Sequence, residues 1–142
     1  MEVEIRELTS EDFDNEKLIQ GLLDMEVVGY KTSQSLKEIF EKRKVNTDTH
    51  IAIVDGTIVG IMSLMIHYSF TGRNLGVPMD VYVSPKYRKQ GIAKRFIDIL
   101  ILVDRSKVWR IFGPVAKDLV SLYEKGGFSR KDVVYMERKI TF

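Results

Sequence analysis

The 142-residue chain carries 22 Lys and Arg against 20 Asp and Glu, a formal net charge of +2, so no general affinity for nucleic acid or membrane follows beyond local basic patches. Hydrophobic residues make up 44% and charged residues 30%, the profile of one globular domain over residues 1–142 with a core of its own. Cysteine is absent, which excludes disulfides, thiolate metal sites and a cysteine nucleophile, and His50 and His67 lack the neighbours of a metal site, so no metal is expected.

The N-terminus alternates charges where a secretory leader would pair a basic segment with an apolar run. No apolar run reaches the length of a membrane span. With a cysteine usage compatible with a reducing compartment, the expectation is a cytoplasmic protein. Val3, Ile5 and Leu8 alternate with polar residues and predict a first strand ending at Thr9-Ser10. A helix should follow, with Thr9 or Ser10 as its cap, Glu11 and Asp12 in the first turn, and Phe13, Leu18, Leu22 and Leu23 on its apolar face. A second helix is predicted from Ser33 or Ser35 to Arg43, with Leu36, Ile39 and Phe40 on one side. Two β-rich runs, His50 to Val54 and Thr57 to Tyr68, meet at Asp55-Gly56 and predict a hairpin. Gly60 in the second run marks a bulge or a close backbone approach. Ser69 to Gly76 reads as a loop.

From Val77 to Val83 the apolar residues Val77, Met79, Val81 and Val83 alternate with Pro78, Asp80 and Tyr82, a strand that Ser84-Pro85 stops. An amphipathic helix starts at Gly91, with Ile92, Phe96, Ile99 and Leu100 at helical spacing. A helix start has unpaired N–H groups and the positive end of the peptide dipoles. Gly91 leaves room for a ligand at the backbone, and Lys86, Arg88, Lys89, Lys94 and Arg95 add positive charge. Together they describe a seat for a phosphate or pyrophosphate; the alternative is a solvated basic helix start. Beyond it, Trp109 to Phe112 reads as a strand, a helix carries Leu119, Val120, Leu122 and Tyr123 as far as Gly126-Gly127, and Phe128 opens the final strands, of which Val133 to Ile140 is the clearest.

The run Val83-x-Pro85-x-Tyr87-Arg88-x-x-Gly91-x-Ala93 resembles the acyl-CoA-binding motif of the GNAT N-acetyltransferase superfamily, in which Arg or Gln is followed by x-x-Gly-x-Gly/Ala after a hydrophobic strand. Leu122-Tyr123-Glu124-Lys125-Gly126-Gly127-Phe128 is similar to a second segment of that family, Leu-Tyr-x-x-x-Gly-Phe. The order of predicted elements matches as well. The resemblance implies an α/β (α+β) fold: a mixed, mostly antiparallel sheet of six to seven strands, helices on both faces, and a central strand pair that splays to admit the pantetheine arm of acetyl-CoA. It assigns Val81, Tyr82 and Val83 to backbone contact with that arm. The amides of Lys89, Gln90, Gly91, Ile92, Ala93 and Lys94 would meet the pyrophosphate, with charge from Arg88 and Lys89. Lys89 stands where many relatives have glycine.

The resemblance also implies an N-acetyltransferase in which a primary amine attacks the thioester directly. Tyr123 matches the tyrosine beside the cofactor sulfur; a phenol, pKa near ~10, can serve a departing thiolate whose thiol has pKa near ~8.5. The other reading of Tyr123 is a core tyrosine. Asp80 is the first candidate to bind or deprotonate the amine, against a solvated strand carboxylate or the partner of a nearby Arg or Lys; His67 or a water chain is the alternative base. Glu26 and Tyr30 fall towards the acceptor pocket by the family's architecture. Ala116 departs from the asparagine that relatives carry seven residues before the tyrosine. Two rival readings are a noncatalytic acyl-CoA-binding or regulatory domain, which Ala116 favours, and a nucleic-acid-binding module using Lys86 to Arg95, which the balanced charge disfavours. The amine acceptor, a small molecule or a protein, is open, and so is a homodimer.

Overall fold

The computed structural model describes residues 1–102 and 108–140. Nine regular elements follow one another: β1 (Glu4–Glu7), α1 (Glu16–Leu23), α2 (Ser33–Arg43), β2 (Thr47–Val54), β3 (Thr57–His67), β4 (Leu75–Val83), α3 (Ile92–Ile101), β5 (Arg110–Ile111) and α4 (Val120–Lys125). Most lie within a few residues of the predicted bounds. The hairpin turns where Asp55 and Gly56 both take positive φ, as a tight turn matched to the strand twist requires. Gly60, two residues beyond Ile58, lets α3 come close: an added Cβ there would sit 3.2 Å from the Phe96 ring.

The first predicted helix is in fact two pieces. A 3-10 turn spans Ser10–Asp14, and α1 starts anew after Asn15, whose side chain accepts a bond from the Leu18 amide. The reason is local competition: Asn15 offers an independent cap, and Asp12 is already engaged with Arg6 and Thr9.

Among the described residues the strands form one five-stranded sheet in the order β1-β2-β3-β4-β5, antiparallel except for the parallel β4-β5 pair. Mixed and mostly antiparallel was expected; six to seven strands was not found. The difference lies after Phe128. Residues 129–140 join no strand, and Val133, Val134, Tyr135, Met136 and Ile140 are exposed. Period-two alternation gives a segment a capacity for pairing, but pairing needs an edge in register, and β5 is only two residues long.

The sheet is covered on both faces. On one, Ala52, Val54, Val59, Met62, Leu64 and Val83 pack with Ile92, Phe96, Ile97 and Leu100 of α3 and with Tyr123 of α4. On the other, Ile51, Ile53, Ile58 and Ile61 pack with Phe13 and with Leu18, Ile19 and Leu22 of α1, while Leu36 and Phe40 of α2 rest at the margin. Successive residues of β2 therefore feed opposite cores, which its unbroken apolar run required.

Candidate functional site

The candidate site is built where β4 runs on past the end of β5 while staying paired with β3. Against β5 it is paired only at Leu75 and Gly76, with one further bond from the Phe112 amide to the Gly76 carbonyl at 3.0 Å. Gly113-Pro114 ends β5 there, whereas β4 runs on to Val83. Among the described residues no strand pairs with the β5 side of β4 from Val77 to Val83. A row of main-chain donors and acceptors is thus left along a strand edge, the arrangement an extended amide-bearing ligand can join.

Against β3 the register shifts: Ile61 faces Tyr82 and Ser63 faces Met79, so Asp80 and Val81 oppose the single residue Met62. This is a bulge on β4. Asp80 sits in it with φ +56, a left-handed conformation that aspartate tolerates better than most residues. The bulge separates the faces. Val81 and Val83 pack with α3, Tyr82 packs on the opposite side, and the Asp80 carboxylate meets Arg43 at the end of α2.

At its C-terminal end β4 passes through a 3-10 turn, Pro85–Tyr87, into α3. The Arg88 guanidinium folds back: Nε donates to the Val83 carbonyl at 2.8 Å and the group lies 5.2 Å over the Tyr82 ring. Arg88 thereby fixes the corner as well as adding charge. Lys89 has φ +62 and Gly91 φ +82, and such turns aim successive amides to one side. No side chain caps α3 among the described residues, and its first incoming bond is from the Arg95 amide to the Gly91 carbonyl at 3.1 Å. The amides of Ile92, Ala93 and Lys94 precede that bond and have no carbonyl within the helix to reach. Ile92 itself is a core residue, so it offers only its N–H. Two more of the predicted basic groups are occupied: Lys94 pairs with Asp98 at 3.1 Å, and Arg95 donates to the Val3 carbonyl at 2.9 Å. Gln90 is exposed on the turn.

Tyr123, on α4, is 5% exposed and joins the core cluster that contains Val83 and Ile92. Phe128 meets its ring edge-on, centroids 5.2 Å apart, so the Leu-Tyr-x-x-x-Gly-Phe segment closes on itself across the Gly126-Gly127 turn. Burial pushes the phenol above its ordinary value of 10.0. Ala116 precedes the 3-10 turn that leads to α4 and has no side-chain hydrogen-bonding group. His67 lies opposite Leu75, whereas Met79, next to Asp80, faces Ser63; four residues of strand put His67 roughly 13 Å from that point. Glu26 and Tyr30 are exposed between α1 and α2. Two surface hollows of about 350 and 340 Å³ lie on α2 and between β1 and β2, away from the β4 edge.

Asp80 has an arginine partner, as the alternative reading of that residue allowed, but the sequence did not name Arg43 or the hydroxyls behind it. Arg43 Nη2 lies 2.7 Å from Asp80 Oδ2 and 2.7 Å from Ser63 Oγ, and Ser63 Oγ is 3.3 Å from Thr49 Oγ1. Ser63 is wholly buried and Thr49 nearly so. A hydroxyl within the apolar run Ile61 to Ile66 was the available signal, since a buried hydroxyl needs a partner.

No helix among the described residues is long and apolar enough to cross a membrane, and no three metal-ligating side chains gather there. Comparison with known proteins shows the family and the fold. A Trypanosoma brucei brucei glucosamine 6-phosphate N-acetyltransferase is 41% identical over 76 residues, 51% of this chain and 52% of that protein, so the match spans about half of the relative's length. The crystal structure of glucosamine-6-phosphate N-acetyltransferase from Arabidopsis thaliana superposes with a TM-score of 0.80 at 20% identity, over 97% of this chain and 99% of that one. A Trypanosoma brucei acetyltransferase superposes at 0.76 with 26% identity, over 98% and 100%. The model of the acetyltransferase (GNAT) domain matches residues 46–130, from just before β2 to just past Phe128. With the β4 edge beyond β5, the uncapped turn at Gly91 and the buried Tyr123 all inside that span, the chain belongs to the GNAT acetyltransferase family.

Proposed function

We propose that the chain transfers an acetyl group from acetyl-CoA to a primary amine by direct attack. The observation that carries this reading is the continuity of an unpaired β4 edge with an uncapped, positively charged helix start. Main-chain groups of Val81, Tyr82 and Val83 pair with the pantetheine arm. The amides from Lys89 to Lys94 and the charge of Lys89 take the pyrophosphate. Because these contacts are made by backbone, Ile92 and Ala93 serve through position alone.

The acceptor approaches from the α2 face, where Asp80 points. An alkylammonium with pKa near ~10.4 is charged at neutral pH, and the Asp80 carboxylate receives it and takes up or relays its proton through water. The amine nitrogen then attacks the thioester carbon. The oxyanion is met by the β4 N–H near Val81 as the carbon–sulfur bond breaks. The sulfur leaves as a thiolate beside the Tyr123 hydroxyl, which donates its proton and so completes CoA, while the nitrogen of the tetrahedral adduct loses its second proton through water to the phenolate and restores the phenol. Burial keeps Tyr123 protonated for this purpose.

The related proteins supply a first acceptor to try, glucosamine 6-phosphate. The test is CoA release with acetyl-CoA and a panel of that compound, glucosamine, an aminoglycoside, a polyamine and a lysine peptide, with the acetylated product identified by mass spectrometry. One N-acetyl product per CoA is expected for at least one amine. Tight CoA binding with no turnover of any amine would overturn the reading in favour of a noncatalytic acyl-CoA-binding domain, to which the missing side chain at Ala116 lends support.

A further inference from the structure

We propose that Arg43 is a positioning residue for the acceptor site, acting through Asp80. The inference rests on the reading of Asp80 as the group that receives the amine. Asp80 stands in a bulge, in a left-handed backbone conformation, with its side chain 44% exposed. Nothing in β4 itself orients such a carboxylate. Arg43 does: one guanidinium nitrogen, Nη2, carries two hydrogens, and its two acceptors at 2.7 Å are Asp80 Oδ2 and Ser63 Oγ. The Ser63 hydroxyl is held in turn by Thr49 at 3.3 Å. The order of immobility runs outward, from hydroxyls fixed inside the sheet, to a guanidinium anchored on them, to a carboxylate held by that guanidinium.

Three elements are joined by this chain of bonds, β2 and β3 through the hydroxyls and α2 through Arg43, and it ends on β4 at the candidate acceptor site. Thr47, Thr49 and Ser63 are the buried polar side chains among the described residues, and two of the three belong to it. Burying hydroxyls costs stability unless they are bonded, and a solvent-exposed ion pair by itself contributes little. The arrangement therefore gains little in stability over plain apolar packing, and what it does supply is a fixed direction for the Asp80 carboxylate. With Oδ2 engaged by Arg43, Oδ1 is the oxygen left for the amine. Positioning of this kind affects the rate because a small misplacement of the nucleophile removes much of the advantage of binding it.

The experiment uses the full chain, acetyl-CoA and the amine that the wild-type protein turns over best in the panel above, with glucosamine 6-phosphate as the first probe. Arg43→Ala should lower kcat/KM for the amine roughly 10- to 100-fold, the range for loss of a charged hydrogen bond. The acetyl-CoA KM should stay within about twofold, since Arg43 is not among the residues that hold the cofactor. Arg43→Lys should recover only part of the loss, because an ammonium does not reproduce the planar fork. Ser63→Ala, which leaves the surface of α2 intact, should cause a smaller loss in the same direction and serves in place of Arg43→Ala if that variant fails to fold.

The decisive measurement is a double-mutant cycle. In an Asp80→Asn background, Arg43→Ala should cost less than about threefold more, because the residue it acts through is already disabled. Asparagine suits the comparison, since it also tolerates positive φ. Additive losses, or a lower melting temperature with unchanged kcat/KM, would overturn the inference. If Asp80→Asn itself leaves kcat/KM for the amine unchanged, the reading of Asp80 fails and this inference fails with it; sensitivity to Asp80→Asn without sensitivity to Arg43→Ala sinks this inference alone.

Discussion

Lys89 and Gly91 share a turn and a positive φ, yet their side chains bear on it differently. A left-handed conformation costs a non-glycine residue about 1–2 kcal/mol, and Lys89 already carries that strain. Replacing it by glycine relieves that strain of about 1–2 kcal/mol and loosens the unfolded chain by about 0.5–1 kcal/mol, so Lys89→Gly should leave the melting temperature unchanged or raise it slightly. Gly91→Ala should cost about 1–2 kcal/mol by denaturant titration, from strain alone, since an added Cβ meets nothing within 4 Å. If the pyrophosphate approaches through that open space, as proposed, Gly91→Ala should also raise the acetyl-CoA KM more than the amine KM. Tyr123→Phe keeps the edge-on packing against Phe128 and removes only the hydroxyl. It should lower kcat about 100-fold or more with acetyl-CoA affinity intact, as expected for loss of a general acid. The sign of its pH dependence follows from burial. A phenol raised above 10.0 stays protonated through the neutral range, so the wild-type rate should show no loss attributable to Tyr123 until pH exceeds about 10. The turn at Gly91 and the helix of Tyr123 were legible in the sequence because each depends on neighbours within a few positions.

At the scale of elements, the contact of α1 on β3 is set by Gly21. A Cβ added there would lie 2.2 Å from the Ile58 carbonyl oxygen and 2.5 Å from the Thr57 methyl. Gly21→Ala therefore has to push a helix off a strand and should destabilise by about 2–3 kcal/mol in a denaturant titration, despite the higher helix propensity of alanine. The 3-10 turn after β1 is secured by Asp12, which accepts two bonds from Arg6 at 2.8 Å each and one from the Thr9 amide at 2.8 Å. The Arg6 guanidinium holds the Asp12 carboxyl below its ordinary value near 3.8. A group whose folded pKa is depressed contributes stability above its unfolded pKa and loses it as pH falls through the folded one. Asp12→Asn should accordingly cost about 1 kcal/mol at pH 7, allowing for solvent screening, and the gap to wild type should close as pH drops below about 4. Melting temperatures at pH 7 and pH 3 read both ends. Sequence patterning found α2, β2, β3, β4 and α3 because each has a sustained period or an explicit turn. It did not find the break at Asn15, where two local capping arrangements compete.

For the whole molecule, cofactor binding should be visible as stability. A ligand that binds only the folded state, present at 100 times its Kd, adds about 2.7 kcal/mol, which for a chain of this length is a rise of roughly 5–10 °C in melting temperature. CoA should produce it, and high salt should reduce it, since the proposed pyrophosphate seat is partly electrostatic. No shift at saturating CoA would remove the ground for the proposed chemistry. The sequence by itself determined the parts that rest on short-range physics: a strand that stops at Ser84-Pro85, a helix that starts at Gly91, a hairpin at Asp55-Gly56, and charge beside unpaired amides. Tertiary structure decided how far β5 follows β4, the unpaired state of residues 129–140, and the meeting of Arg43 with Asp80 across 37 positions. Period and charge record what a segment offers to a neighbour. Which neighbour arrives, and in what register, depends on packing of the entire sheet, and no single stretch of the chain encodes that.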